Sequence, residues 1–509
     1  MKGIVFFLLY VVTAVAGLKL SAVNNYATLL WVPTGLSLAI LYLWGLRLWP
    51  VVAVGALVTN YWIGKNFGVA LGMSVGNTLE AIIGVSLFLR FCGPGSRLEK
   101  VREVTSFLFS GALVGPVVSA TVGVTSLALA GSLNESFLRT WAVWFAGNSI
   151  SAMVIGSFLI VWKNPPRIFA PFKRMFEGGI LLGCIVALCL AIFGPLYSPE
   201  LYHYVRTYWI FIFLIWTTLR FGQPANTFVV LTLFTIAVTC TLMGYGHYQH
   251  KNLADNLFHL QTFLGAVAIS GLYFAALGAE KDEALRIRTD FISIASHELR
   301  TPLTSFEVSL HYLKELLSDK SHLELAPEAI AVLERQSKKM GAMVDSLLNV
   351  AKIESGNLVM EKKETDISSL VRDVAADLSG LVAYTRCSLQ LEIQPMVKGN
   401  CSAYGIEQVL TNLIMNAIKY GAGSPVKIKL ESCGKRACIT VQDEGRGIAP
   451  EDHQKIFERY MRVNKGNGTQ GLGLGLYISK LIVDAHQGKI IVESALGKGA
   501  TFKVDLPVT

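Results

Sequence analysis

The sequence predicts a two-part protein, a bundle of membrane-crossing α-helices followed by a soluble half built from a two-helix hairpin and an α/β domain. Three observations predict it. Apolar runs of about 20 residues, the length that crosses a bilayer, recur from Met1 to about Leu277 and then stop. Apolar residues at steps of three and four take over from Phe291 to Leu317 and again from about Pro327 to Ser355. Beyond about Leu358, short alternating segments of strand type appear with helical stretches among them. The expected divisions are a multi-span membrane domain over 1–278, a helical hairpin over 279–357 and an α/β domain over 358–509. Composition agrees: 52% of the 509 residues are hydrophobic and 16% charged, against about 25% charged in ordinary soluble proteins.

In the membrane half the candidate spans are 3–20, 28–45, 48–63, 67–91, 104–130, 138–162, 176–195, 207–221, 225–246 and 257–277, about ten in all, of which eight to ten are expected to be helices. The third and eighth are short. The start, MKGIVFFLLYVVTAVAG, has the look of a signal peptide, but more spans follow directly, so a retained first helix is expected. Arg90, Arg97, Lys100 and Arg102 follow the fourth span, and Lys163, Arg167, Lys173 and Arg174 follow the sixth, whereas the alternate loops are poorer in cations. The positive-inside tendency then puts both termini on the cytoplasmic side, with an even number of spans. Glu80, in GNTLEAIIG, is an ionisable group deep in a span, with Asn77 one turn before it. A carboxylate at that depth needs a partner or water, which makes this pair the candidate sensor site; the bland alternative is a glutamate bonded for packing. Asn148 is a weaker candidate, since asparagine often serves as glue between helices.

A formal net charge of +9 raises nucleic acid as a partner, but there is no helix-turn-helix, finger or basic arm, and many cations lie in short loops between spans. No direct nucleic-acid contact is expected. The eight cysteines have no CxxC spacing and read as isolated thiols.

The stretch FISIASHELRTPL (291–303) carries the first chemical signal. The apolar stripe is Phe291, Ile294, Ala295, Leu299, Leu303, Phe306, Leu310, Leu313 and Leu317. His297 lies two residues from both Ala295 and Leu299, so at about 100° per residue it projects from the opposite face. A wet imidazole has accessible nitrogens and can act as a nucleophile. Glu298 beside it can orient a ring nitrogen or take its proton. Pro302 has no N–H for the carbonyl of Glu298, which predicts a weakened helix there. Alone, an exposed His-Glu pair is most often mere surface. The second helix of the hairpin has the stripe Leu333, Met340, Val344, Leu347 and Ala351. Two helices cannot bury both stripes, so a four-helix bundle across a homodimer is expected.

The α/β domain reads as strands SLQLEIQ (388–394), VKIKLES (426–432), ACITVQD (437–443), KIIVES (489–494) and TFKVDL (501–506), a mixed sheet with helices on one face. Three polar sets punctuate it. In QVLTNLIMNAIKY (408–420), Val409, Leu410, Leu413, Ile414 and Ala417 form the core stripe, while Asn412, Asn416, Lys419 and Tyr420 share another face. Amide oxygens are hard ligands for Mg2+, lysine meets phosphate and a phenol stacks on a base, so that face suits a magnesium triphosphate. In DEGRGI (443–448), Asp443 closes a strand and can accept the exocyclic amine of adenine, with Gly445 and Gly447 allowing close backbone approach. In GLGLGL (471–476), Gly471, Gly473 and Gly475 open a helix whose N–H groups face anions. No GxxxxGK[ST] occurs, so a P-loop ATPase or transporter engine is not expected.

The order of these signals, His-Glu-x-x-Thr-Pro, Asn-x-x-x-Asn-x-x-Lys-Tyr, Asp-x-Gly-x-Gly, IFERY and GLGLGL, resembles the catalytic core of bacterial two-component sensor histidine kinases over roughly 280–509. The resemblance implies an ATP-binding domain of the gyrase, chaperone and histidine-kinase superfamily. It implies His297 as phospho-acceptor, Glu298 as the neighbouring acid/base, and Glu298 with Thr301 positioning water to dephosphorylate a partner. It further implies Asn416 on Mg2+, Asp443 on adenine and Lys419 and Tyr420 flanking the nucleotide. Phe457 and Arg459 would stand beside the lid, Gly471, Gly473 and Gly475 along the phosphates, and Thr501 near the adenine. Asn412 stands where hydrolytic superfamily members carry a water-activating glutamate. The chain departs from the family's pattern at 402–408, where an acid and an arginine are missing.

In the membrane half, WVPTGLSLAILYLWGLRLWPVVAVGALVTN (31–60), NTLEAIIG and the tryptophan-rich run before Asn148 resemble the bacterial membrane-associated sensor domain of the first type. Relatives often carry an acid near Asn148, where this chain has an amide. Together the resemblances imply a homodimeric, multi-pass kinase of the bacterial inner membrane, in contact with lipid, using ATP and Mg2+. It would answer an unknown small-molecule or protein stimulus and pass phosphate to a separate response regulator; no receiver domain is read in this chain. The rival reading is a membrane receptor or scaffold with an inactive kinase-like tail.

Overall fold

The computed structural model describes residues 2–508 except 20, 24–26, 29–30, 134, 164–171, 248–252, 319–324, 355–360, 386, 422, 460 and 462–472. It divides into two compact units, Met1–Ile287 and Arg288–Thr509.

The first unit is helical. Among the described residues seven helices are long and apolar enough to cross a membrane: Leu46–Gly64, Phe67–Cys92, Val101–Leu129, Phe137–Val161, Phe172–Ile192, Trp209–Leu242 and Phe258–Ser293. Lys2–Gly17 and Val32–Trp44 are shorter apolar helices. Between the stretches read as 207–221 and 225–246 the helical backbone breaks at Gly222, whose φ of 73° and ψ of −163° are not helical, with Pro224 just beyond. The second span starts later than expected, at Val32, because Pro33 occupies the first turn, where its missing N–H does no harm. Buried side chains form two clusters, one around Trp144, Phe193 and Phe234, the other around Tyr10, Phe88 and Phe107. Wide π-type turns interrupt two helices at Leu108–Val114 and Ala152–Gly156.

Glycine sets the approach of these helices. A Cβ at Gly35 would lie 2.2 Å from the carbonyl oxygen of Ser151, while Ser151 Oγ accepts from the Gly35 N–H at 3.1 Å and donates to the Val32 carbonyl at 3.2 Å. Backbone meets backbone there.

In the second unit, the part of the α-helix Leu253–Ser318 that follows Ile287 carries the His297 segment, and Ala326–Glu354 is the second helix of the hairpin. The first runs through Pro302 without a break, so the expected weak point is a missing hydrogen bond within a continuous helix. Ala295, Leu316, Ala329 and Met343 are buried, whereas Leu303, Leu310, Leu317 and Val344 are exposed. Val344, a position of the expected stripe, is thus exposed beside the buried Met343. The side chains of Ile294, Leu347 and Ala351 lie outside the described residues.

The α/β domain has a five-stranded sheet in the order Leu389–Ile393, Val426–Ser432, Arg436–Asp443, Ala500–Pro507, Lys489–Ser494. The first pair is parallel and the rest antiparallel. The period of two along each strand places Ile428, Leu430, Ile439, Val441, Phe502, Val504 and Leu506 on one buried face. Helices Ile367–Asp377, Ala403–Tyr420 and Gly475–Ala485 cover that face, burying Val371, Leu410, Leu413, Ile478 and Ile482 in one core. The other face carries exposed charge pairs such as Arg436–Asp505 and Lys503–Glu493. A two-stranded sheet, Lys363–Asp366 with Lys398–Cys401, was not anticipated; its residues are too polar and too few to show alternation.

Because a methyl at Gly35 meets a carbonyl oxygen and not a yielding side chain, Gly35→Ala should lower the stability of the full-length protein by about 1–3 kcal/mol. Thermal unfolding in detergent checks this; an unchanged midpoint contradicts it.

Candidate functional site

Helix Ala403–Tyr420 begins with Ser402 as its cap, whose Oγ accepts from the Gly405 N–H at 3.3 Å. The Ser402 N–H donates to His486 Nε2 at 2.9 Å, and His486 Nδ1 is 2.7 Å from the Ile482 carbonyl. The departure from the family's pattern at 402–408 therefore leaves the helix start well formed, held by a histidine that sequence reasoning missed. An imidazole whose Nε2 accepts is neutral, with its proton on Nδ1.

This helix buries Val409, Leu410, Leu413, Ile414 and Ala417, as its stripe requires. Its other face does not act as a single surface. Asn412 Nδ2 donates to Ser479 Oγ at 2.8 Å, and a Cβ at Gly475 would lie 2.1 Å from Asn412 Oδ1. Asn412 is thus the joint between this helix and the helix beginning at Gly475. Asn416, one turn on, is half-buried, and its side chain has no hydrogen bond among the described residues. Its amide oxygen is a hard donor with nothing else to do, which fits a Mg2+ ligand. Among the described residues no group of three or more His, Cys, Asp or Glu could hold a metal ion, so a metal here would share its ligands with a triphosphate.

Asp443 ends the central strand and is 6% exposed. Its Oδ1 accepts from the N–H of Gly445 at 2.8 Å and of Ala500 at 3.3 Å, while Oδ2 has no hydrogen bond among the described residues. Burial pushes this carboxyl above the usual carboxylate range, and the two N–H groups pull it back. The glycines of the turn make room for the chain itself. A Cβ at Gly445 would lie 2.1 Å from the Tyr420 carbonyl oxygen, one at Gly447 (φ 72°) 1.9 Å from that of Ala495, and one at Gly499 (φ 72°) 2.0 Å from that of Asp443. Gly499 N–H donates to the Gly445 carbonyl at 2.9 Å, closing the two turns on each other.

Two cationic side chains cover aromatic rings nearby, Arg446 over Tyr420 at 4.7 Å and Arg459 over Tyr477 at 4.9 Å; Lys419 Nζ lies 5.2 Å from the Tyr420 ring. Phe457 is buried in the core against Phe502. Gly473 has φ 65° and Gly475 opens its helix, whereas Gly471 lies outside the described residues. Thr501 is corrected. Ala500 pairs with Asp443 and Thr501 with Gln442, and the period of two turns Thr501 to the face opposite the carboxylate. Ala500 is the residue beside Asp443.

His297 and Glu298 lie within their helix, but their side chains are outside the described residues. Thr301 is exposed. Phe291, six positions before His297, packs against the α/β core.

In the membrane unit Glu80, Asn77 and Asn148 are buried together. Asn148 Nδ2 donates to both oxygens of Glu80 at 3.1 and 2.9 Å, and Thr34 Oγ1 donates to Oε2 at 3.1 Å. Ser119, with its Oγ 2.9 Å from Asn77 Oδ1, completes the cluster. Sequence reading found the acid and both amides but neither hydroxyl, because serine and threonine are ordinary residues within a span.

Comparison with known families decides what these parts are. Residues 1–281 match the MASE1 family, 287–356 the His Kinase A (phospho-acceptor) domain, and 402–509 the histidine kinase-, DNA gyrase B- and HSP90-like ATPase family. The chain belongs to the MASE1 family. It is a multi-pass MASE1 protein with the domain set of a sensor histidine kinase, including an ATP-binding domain. Sensor histidine kinase RppB of Synechocystis sp. is 34% identical over 253 residues, covering 48% of this chain and 55% of that protein. Sensor protein SrrB of Staphylococcus aureus is 33% identical over 233 residues, 44% of this chain and 38% of its own. The MASE1 chain thus spans about half or less of the length of these curated relatives. Among solved structures, Acinetobacter baumannii histidine kinase AdeS aligns over 42% of this chain and 98% of its own, with 24% identity and a TM-score of 0.35.

His486 supplies a pH test. Burial lowers its pKa from the ordinary 6.5, so its contribution to stability is present above that value and lost as pH falls through the lowered folded one. Hydrogen-exchange protection factors of strand Arg436–Asp443 in the full-length protein, corrected for the intrinsic pH dependence of amide exchange, should fall on acidification, and less steeply in His486→Gln. Equal slopes contradict this.

Proposed function

We propose that this MASE1 protein is a membrane sensor histidine kinase that moves the γ-phosphoryl group of ATP to His297 and from there to an aspartate of a separate response regulator. One observation carries the reading: Asp443 is fixed at a strand end by two backbone N–H groups while its second oxygen has no partner among the described residues. That arrangement suits the exocyclic amine of adenine. Asn416 would hold Mg2+, whose charge steadies the β- and γ-phosphates. Lys419 and Tyr420 would flank the nucleotide, Gly473 and Gly475 with Gly471 would face its phosphates, and Phe457 and Arg459 would support the lid. Asn412, engaged with Ser479, is a poor base and leaves water unactivated, which favours phosphoryl transfer to imidazole.

In the acceptor domain Glu298 would orient or deprotonate His297, and with Thr301 would guide water in dephosphorylating the partner. The exposed row Leu303, Leu310 and Leu317 recurs every seven residues, which supports a homodimeric four-helix bundle. We divide the chain functionally into sensor (1–278), dimerisation and phosphotransfer (279–357) and catalytic (358–509) parts. The clusters of basic residues after the fourth and sixth spans support cytoplasmic termini in a bacterial inner membrane.

Full-length protein in nanodiscs, incubated with radiolabelled ATP, should gain acid-labile label that is lost in His297→Gln. Absence of label in the wild type, or equal label in the variant, overturns the proposal.

A further inference from the structure

The cluster around Glu80 contains an unfilled hydrogen-bonding position. Glu80 is 2% exposed in a membrane-crossing helix. Its partners, Asn148 and Thr34, are neutral, and among the described residues no Lys, Arg or His pairs with it. Helices Val32–Trp44, Val101–Leu129 and Phe137–Val161 bring Thr34, Ser119 and Asn148 to the cluster, none of them titratable. Tyr10, from helix Lys2–Gly17, is the other titratable group facing it among the described residues.

Ser119 fixes the orientation of Asn77. Its Oγ accepts from Trp144 Nε1 at 3.3 Å and Asn148 Nδ2 at 3.2 Å, which occupies both lone pairs. Its own proton therefore goes to Asn77 Oδ1 at 2.9 Å. That turns Asn77 Nδ2 the other way, towards a small cavity lined by Tyr10, Thr34, Ser37, Asn77 and Glu80. Asn77 Nδ2 and Ser37 Oγ are both buried and among the described residues make no hydrogen bond of normal length and angle, although Asn77 also faces the Tyr10 hydroxyl across the cavity. Two orphaned polar groups beside one carboxyl mark a place where something binds.

Its occupant is narrowly specified. The cavity admits about one water molecule, which excludes an organic ligand. An anion would face the Glu80 carboxylate. A metal cation would face the Asn77 N–H, the wrong end of that dipole. Water fits, accepting from Asn77 and donating to Glu80. A carboxylate at membrane depth without a cationic partner is then relieved of its charge by a proton arriving through that water.

We propose that this cavity is a proton-binding site of the membrane unit, with Glu80 as the acceptor and a single water, held by Asn77 and Ser37, as the carrier. A hydronium in the cavity transfers one proton to a Glu80 oxygen, leaving a neutral acid and a neutral water. The protonated oxygen becomes a donor, so it no longer accepts from Thr34 or Asn148 as before. Those bonds join three helices, and Ser119 brings in a fourth, so proton occupancy changes how the four are tied. The π-type turns at Leu108–Val114 and Ala152–Gly156 lie in the helices that supply Ser119 and Asn148, and such turns are frequent at functional sites.

Infrared difference spectra of the full-length protein in nanodiscs, recorded across pH, test this without any phosphorylation readout, so failure here is separate from failure of the kinase reading. A protonated-carboxyl C=O band that fades as pH rises, is missing in Glu80→Gln and is indifferent to exchange of sodium for potassium is the expected result. If Glu80→Gln does not insert, Asn148→Leu, which removes a hydrogen bond to the carboxyl, should shift the same band. A wild-type spectrum with no such band at any pH, or a band abolished by sodium, overturns the proposal.

Discussion

A carboxylate taken out of water must be met by donors or by positive charge, and the two halves of this chain meet that demand differently. Asp443 is met by backbone, through the N–H groups of Gly445 and Ala500, which are rigid and cannot be lost by side-chain motion. Glu80 is met by side chains, Asn148 and Thr34, from separate helices. The first arrangement holds one oxygen still and leaves the other without a partner among the described residues. The second makes the packing of helices depend on the state of one acid.

Much of the α/β domain follows from fixing Asp443. The turn after it can close only because Gly445, Gly447 and Gly499 lack a Cβ where carbonyl oxygens of Tyr420, Ala495 and Asp443 approach. Tyr420 ends the helix that carries Asn416, so the same turn brings the amide face and the carboxylate to one end of the domain. Asn412 then secures the glycine-led helix through Ser479. Substitutions at these glycines act on the site through backbone position, not through lost contacts with a ligand.

The sheet was legible because its strands have one buried and one charged face, so alternation at Ile428, Leu430, Ile439 and Val441 survives in the letters. The motifs around Asn416, Asp443 and Gly475 stand out in the letters because the chemistry proposed for them fixes residue type at fixed spacing. Thr501 was misplaced because a motif names a position along a strand, whereas the pairing of Ala500 with Asp443 decides which face it takes. The partners Ser479, Arg446, Thr34 and Ser119 were invisible because each acts across a gap in sequence of many residues, which local spacing does not encode. The break at Gly222 was legible because Gly and Pro punctuate a helical pattern there. Ser402 shows the converse: its capping role survives the loss of the family's usual acid and arginine, because His486 supplies the support from the far end of the domain.

The central claim is that the unpaired oxygen of Asp443 reads the adenine amine. Calorimetric titration of the full-length protein with ATP and with inosine triphosphate, which lacks that amine, tests it most directly. A lost hydrogen bond to a charged group is worth about 1.5–3 kcal/mol, so the wild type should bind ATP roughly 10- to 100-fold more tightly. Equal affinity for the two nucleotides would contradict the account.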